Sequence, residues 1–413
     1  MYTAKLHSGH PDTVESPKAP PAGARLVCLR WALTALALFL LWQFLTVHYN
    51  RGGNWTALFL TGRNKPIPPE LAPGTYTFSD GFDGEMYRYV AHDLLRKRGY
   101  LPYIDGPAQR YHRLLVPALA YLLVAGYQPW IDGSYIAVVA FFAFLGAYWL
   151  SRWAVLAGAH PAWALGFLAV PASVISMDRM TVDIALAAFT IAFAVYVRTG
   201  ATWKLFAVLL LGCLVRETGL LLIGGVWLFD LFQRRFARVA LWTLAAVPML
   251  AWYWFIRGLF PEKTHYGAPS WFASKLGPGL FYRMFQPQKY PLPAWLDAVA
   301  RAGDAVALAA ILLAAILAVV LFVRARPKCP LLISAIFFTL LVFILTQRSY
   351  WTDVNGYARV LSPLLILVAL PSIARDTYVP FPLWLALAPT ILVTLRLGMQ
   401  FTSSIAGVVR GLL

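Results

Sequence analysis

The stretch Ser79-Asp80-Gly81-Phe82-Asp83-Gly84-Glu85 sets carboxylates in an Asp-Gly turn, after which Met86, Val90 and Leu94 repeat at helical spacing. Asp83 therefore sits just before or at a helix N-terminus. There a carboxylate can serve as an N-cap for exposed backbone N–H groups. Facing a reacting hydroxyl, it can instead take a proton as a general base. Glu85 lies two positions on, and the helix is expected to run about 14 residues along a membrane surface, with Arg88, Asp93, Arg96, Lys97 and Arg98 mostly toward water.

Further along, Arg110 and Arg113 flank Tyr111-His112. Their guanidinium forks suit a lipid phosphate, and equally suit the anchoring of a helix at headgroup level. Asp178 and Asp183 are five apart, about 140° round a continuous helix, so a turn must lie between them if both face one way. Asp183 opens an otherwise apolar run, where a carboxylate needs a cavity or a partner such as Arg179 or Arg216. Arg216 and Glu217 are adjacent in another apolar region, and Arg348 and Arg359 lie among aromatics near Asp353. No phosphate-binding glycine loop, GxSxG, HExxH or Cys/His zinc spacing is present. A divalent cation (Mg or Mn) held by Asp83 with Asp178 or Asp183 fits the residue types without being required by them.

The elements that must position these groups are membrane helices. The 413 residues are 60% hydrophobic and 13% charged, too little charge to cover a soluble globule of this size. Apolar runs fall at 26–48, 134–156, 161–177, 181–197, 203–216, 217–232, 238–259, 303–324, 330–347, 358–374 and 381–397. The reading is an all-α polytopic membrane protein with about eleven transmembrane helices and interfacial helices in the first outer loop. A Pro/Gly/Ser-rich tail over 1–25 is expected to be disordered and cytoplasmic, and 26–413 to form one transmembrane domain. Loops 49–133 and 260–302 are its two long outer segments, and Leu114–Gly126 is interfacial. Cys28, Cys213 and Cys329 read as small apolar packing residues.

The net charge of +17 would point to nucleic acid in a soluble chain. Here the basic residues sit at the ends of apolar runs, where they meet lipid headgroups, and nucleic-acid binding is not expected. With the N-terminus inside, Arg152, Arg198/Lys204, Arg234/Arg235/Arg238, Arg324/Arg326/Lys328 and Arg375 all fall on the cytoplasmic side. Of the acidic residues only Asp12, Glu15, Asp230 and Asp376 fall inside. Both flanks of Trp203–Leu231 are basic, so this segment must go up and return, with Arg216-Glu217-Thr218-Gly219 at the turn. Each arm of about 14 residues spans roughly 21 Å, so the turn is expected below the outer surface, lining a cavity.

In order and in side of the membrane, these features resemble the GT-C superfamily of membrane glycosyltransferases. Phe82-Asp83-Gly84-Glu85-Met86-Tyr87 and Tyr111-His112-Arg113-Leu114-Leu115-Val116-Pro117 are similar to a bacterial subgroup associated with cell-surface glycopolymer formation. Asp178–Asp183 and Leu214-Val215-Arg216-Glu217-Thr218-Gly219 fit its pattern, although Thr181-Val182-Asp183 departs from the Thr-Glu-Pro of some members. The likeness covers residues 26–235 and is generic beyond them.

The resemblance implies sugar transfer from a polyprenyl-phosphate donor to a glycan, lipid or protein acceptor, with inversion, at the outer face of a bacterial inner membrane. It implies Asp83 as general base, worth about 10²–10⁴-fold. Arg110, Arg113, Arg216 and Arg359 become the donor-phosphate ligands. Asp178, Asp183 and Glu85 become candidates for orienting acceptor or metal, with the choice between Asp178 and Asp183 open. A lateral cavity would take the lipid tail. The alternative is a lipid-sugar flippase or secondary transporter, which would place charge near the bilayer midplane on repeated, broken helices.

Overall fold

The computed structural model describes residues 23–260, 277–325, 328–345, 348–376 and 378–413. Most of the tail and residues 261–276 of the second outer segment lie outside these. The regular structure of the described chain is helical apart from one two-residue parallel strand pair, Thr61–Gly62 with Thr77–Phe78, and an isolated bridge at Leu345. In chain order the α-helices are α1 Ala24–Arg51, α2 Asp83–His92, α3 Pro107–His112, α4 Leu115–Leu123, α5 Ile131–Leu156 and α6 Pro171–Arg179. Then follow α7 Asp183–Thr199, α8 Thr202–Val215, α9 Leu220–Phe232, α10 Phe236–Leu259, α11 Pro278–Phe285 and α12 Ala294–Arg324. The last six are α13 Pro330–Ile344, α14 Arg348–Trp351, α15 Val354–Val360, α16 Ser362–Ile373, α17 Leu383–Gly398 and α18 Thr402–Leu412.

This is a multi-pass helical membrane protein. Among the described residues five helices are long and apolar enough to cross a bilayer, and seven segments qualify if two bent pairs each count once. Each expected run falls on a helix or a bent pair. Several, such as the 13-residue α9, are shorter than a bilayer core of about 30 Å requires. The bend within 161–179 is 62°, and that within 354–373 is 52°. The second is bridged by Ser362, whose hydroxyl donates to the Ala358 carbonyl and accepts from the Ala172 N–H.

α7 forms the centre of the bundle. Every residue from Asp183 to Tyr196 is buried, and its alanines (Ala185, Ala187, Ala188, Ala192, Ala194) let neighbouring backbones approach closely. α1 lies at the rim and turns Leu26, Leu33, Leu38, Leu41 and Phe44 outward, as lipid contact demands. Its buried Gln43 donates to the Met177 carbonyl. Cys28 and Cys213 are buried, and no cysteine among the described residues is bridged.

Three expectations for the first outer loop need correction. α2 has 10 residues and is covered on all sides, so it is not a surface helix. Arg88 is buried because Asp132 takes its guanidinium with two bonds of 2.7 Å. Asp93 is buried and ends the helix early: its carboxylate accepts from the Arg98 and Tyr100 N–H groups at 2.9 and 3.0 Å, a local competitor to helical bonding. Lys97 and Arg98 do face water. Exposed apolar faces of an interfacial kind occur instead on α4 (Leu122, Leu123), α11 (Phe281, Phe285) and α18 (Ile405, Val409, Leu412).

Residues 202–232 double back as expected. The chain reverses at Arg216, in extended conformation, and Gly219 comes to rest against Gly212. A Cβ on Gly219 would lie 2.5 Å from the Gly212 carbonyl oxygen, so only glycine fits.

Candidate active site

Two backbone features bring Asp83 and Asp183 together. Gly84 lies so close to the α6–α7 turn that a Cβ there would stand 2.1 Å from the Arg179 carbonyl oxygen and 2.9 Å from that of Phe59. The Asp-Gly pair thus serves close approach as well as turning. Met180 then adopts the left-handed conformation (φ 45°), unusual for a non-glycine residue, and its N–H caps α6 through the Ser176 carbonyl. The chain reverses there, and Asp183 becomes the first residue of α7.

Asp83 is likewise the first residue of α2, and among the described residues its side chain caps no backbone N–H. Its carboxylate instead accepts from Arg110 Nη2 at 2.8 Å and pairs with Arg359. Arg359 reaches Asp183 at 3.5 Å, and Asp183 pairs with Arg216. Arg216 stands 4.0 Å from Glu217, whose two carboxylate oxygens accept from Arg113 at 2.8 and 3.2 Å. Arg113 also donates to the Tyr87 hydroxyl at 2.7 Å, and Arg110 approaches the same oxygen at 3.5 Å. The eight groups close a ring: Asp83, Arg359, Asp183, Arg216, Glu217, Arg113, Tyr87 and Arg110. Arg113 and Arg216 are 1% exposed, whereas Asp83 retains 18%, so the ring opens on the Asp83 side.

Burial alone would raise the Asp83 pKa. Arg110 and Arg359 outweigh it and hold the carboxyl well below the usual aspartate range. Burial likewise works against Asp105, which Arg110 and Lys65 keep lowered. Lys65 reaches Asp105 at 2.8 Å, leaving Arg110 shared between Asp105 and Asp83. His112 stacks on Tyr253 with centroids 3.5 Å apart, and burial chiefly pushes its pKa down to about 4, so it is neutral.

No family model, curated protein or solved structure matches this chain.

Of the residues singled out from sequence, Asp83, Asp183, Arg110, Arg113, Arg216 and Arg359 converge on the ring. Asp178 does not: it faces another cavity and accepts from Trp42 Nε1 at 2.9 Å. Glu85 also points away. It is 1% exposed, accepts from the Gly62 N–H at 2.8 Å, and burial raises its pKa more than that bond and Lys65 lower it. It fastens α2 to the strand pair. Among the described residues no three His, Cys, Asp or Glu side chains form a metal cluster. The acids proposed as metal ligands do not fit that task, since Asp83 and Asp183 already face guanidiniums and Asp178 is elsewhere.

Tyr87, Tyr350 and Glu217 were not assigned as site residues from sequence. Tyr350 accepts from Gln109 at 2.5 Å and from Arg113 at 3.2 Å, its ring lying under Arg216. For Tyr87 a usable signal existed: it follows Asp83 by one helical turn and so shares its face. For Tyr350 no local signal exists, because it arrives from 237 residues beyond Arg113.

Beside the ring lies an apolar cavity of about 320 Å³ between α9, α10 and α13. Leu220, Leu221, Met249, Leu250, Phe337 and Leu341 line its length, and Glu217 and Thr218 form the end that meets the ring. The Thr218 hydroxyl is buried without a partner among the described residues.

Proposed function

We propose that this chain is a GT-C-type membrane glycosyltransferase that moves a sugar from a polyprenyl-phosphate donor to a cell-envelope acceptor at the outer membrane face. The observation that carries the proposal is the apolar cavity ending at a ring of four arginines and three carboxylates. A polyprenyl phosphate has the same order, an apolar chain capped by an anion. On this reading the tail lies along Leu221, Met249 and Leu341, and the phosphate meets Arg113 and Arg216, with Arg110 and Arg359 beside the anomeric carbon. The acceptor hydroxyl attacks that carbon from the open side. Its oxygen forms the new glycosidic bond, Asp83 takes its proton, and the carbon–oxygen bond to phosphate breaks with both electrons leaving on the phosphate. Attack opposite the leaving group inverts the centre, and the guanidiniums stabilise the charge that accumulates. The eleven-span arrangement, inside N-terminus and outward-facing site belong to the same proposal. They are supported by the basic inner loops and by the ring lying at the end of α7 opposite the Arg198–Asp376 pair.

The test is release of polyprenyl phosphate by purified protein given a panel of polyprenyl-phosphate sugars and acceptors, beside Asp83→Asn. Release should depend on Asp83, with transfer lost by at least about 10²-fold and expression intact. Near-normal turnover in the variant would remove the general-base role. Silence of folded wild-type protein across the panel, with lipid-sugar movement in liposomes, would favour a flippase.

A further inference from the structure

A second cavity, of about 130 Å³, lies beyond Phe82 from the ring, between the end of α1, α6 and the junction of α17 with α18. Its lining is half apolar and half polar, and mixed in sign: Asp178 with Arg51 and Arg179, beside Asn355, Gln400, Ser403 and Thr46. Much of this hydrogen-bonding capacity is unused. Asp178 accepts through one oxygen, from Trp42, and its second oxygen has no partner among the described residues. Arg179 makes a single hydrogen bond, to Gln400 at 2.6 Å, and no ion pair among the described residues. Asn355 is buried, yet its amide bonds to nothing described. The Thr46 hydroxyl, in a residue 5% exposed, lacks even the bond to its own helix that such hydroxyls usually make.

This set offers donors and acceptors at close quarters, with the faces of Phe78 and Phe401 alongside. A phosphate would meet Arg51 and Arg179 but also the Asp178 carboxylate, and a lipid tail would desolvate all three charges. A hydroxyl-rich ring uses both kinds of partner, since each hydroxyl donates and accepts. The cavity is also joined to the site. Arg179 and Arg359 lie 4.7 and 4.9 Å from the centre of the same Phe82 ring, and Asn355 precedes Arg359 by one turn of α15.

We infer that this cavity binds a glycan, the acceptor end whose hydroxyl is presented past Phe82 to Asp83. The assignment rests on the glycosyltransferase reading, and two separate measurements keep them apart. The first is saturation-transfer difference NMR on the full chain in nanodiscs with methyl α-mannoside, methyl β-galactoside, methyl α-arabinofuranoside and N-acetylglucosamine. At least one should receive saturation. The signal should fall about fivefold, the worth of one ordinary hydrogen bond, in Asp178→Asn and in Asn355→Ala. Ser403→Trp, on the exposed rim, fills the cavity without removing a buried partner and should abolish it. Absence of saturation from every glycoside, or a signal indifferent to Ser403→Trp, overturns the assignment. The second is release of polyprenyl phosphate. Glycoside binding without release by wild-type protein would refute the transferase and keep the glycan site. Release with an acceptor KM unmoved by Asp178→Asn and Ser403→Trp would do the reverse.

Discussion

Replacing Arg110 by Gln removes one of the two guanidiniums that hold the Asp83 carboxylate, and its consequence can be worked out from the ring. A single charge about 4 Å away at an effective dielectric near 20 is worth about 4 kcal/mol. Water and the neighbouring Arg359 recover part of this, leaving a rise of about 1–3 pKa units, or roughly 1.4–4 kcal/mol. Asp105 keeps Lys65 as its partner, so the change falls mainly on Asp83. In the wild type the Asp83 carboxyl lies well below the usual range, so the charged form persists through pH 4. The stability it contributes is present above the ordinary aspartate pKa and is lost only as pH falls through the lowered one. Polyprenyl phosphate release, measured as kcat/KM between pH 4 and 9, should show no acid limb from this group in the wild type. In Arg110→Gln the limb should move up toward the ordinary aspartate range, whatever the absolute rate. The carboxyl stretching band in infrared difference spectra against Asp83→Asn should titrate in the same window. Superimposable acid limbs and an unmoved band would show that Arg110 does not govern Asp83.

Arg113→Ala leaves Glu217 buried opposite Arg216 alone. It should lower stability by about 3–5 kcal/mol, read as a fall in Tm, and raise the donor KM more than the acceptor KM; unchanged donor kinetics remove Arg113 from the phosphate site. Gly84→Ala drives a methyl into backbone on two sides and should cost about 1–3 kcal/mol while lowering kcat, though no ionisable group has changed. Wild-type kcat in the Gly84→Ala variant would mean that the approach of α2 to the α6–α7 turn is not what places Asp83. Leu221→Trp narrows the apolar cavity and should raise KM for long-chain polyprenyl donors while sparing short-chain ones; equal effects on both deny that the tail lies there.

The sequence made the helical bundle and six of the eight ring members legible because both are local statements in a membrane. Apolar runs of near-spanning length announce helices, and charges set into them announce partners or cavities. What stayed hidden was pairing. Asp183 had Arg179 and Arg216 as sequence-near candidates. Arg216 is one partner, but Arg359 arrives as well from 176 positions further on, while Arg179 turns to Gln400. Asp178 and Glu85 were as good as Asp183 by residue type. Helix phase and close packing at Gly84 and Gly62 separate them, and both depend on which backbones touch. The α2 surface helix failed for a related reason: a charged face predicts water only until a half-buried carboxylate, here Asp132, supplies the partner.

Charge arithmetic in the ring bears on which residue takes the proton. Four arginines face Asp83, Asp183 and Glu217, a formal excess of one positive charge, with Asp105 balanced outside by Lys65. A polyprenyl-phosphate sugar is a phosphodiester with one negative charge, so the loaded ring is neutral. Transfer leaves a phosphate monoester that approaches two negative charges. If Asp83 takes the acceptor proton, the ring gains one positive charge in the same step and neutrality is kept in a site where net charge is costly. If water took the proton instead, product would sit in the ring with an uncompensated charge. Neutralising Asp83 should therefore favour product: Asp83→Asn, silent in turnover, should bind polyprenyl phosphate about tenfold or more tightly than wild type, a preference worth at least about 1.4 kcal/mol. Wild-type affinity should converge on that of the variant as pH falls toward the lowered Asp83 pKa. Equal affinities at pH 7, measured by microscale thermophoresis in nanodiscs, would mean that Asp83 does not share its arginines with the phosphate, and the general base would have to be sought outside the ring.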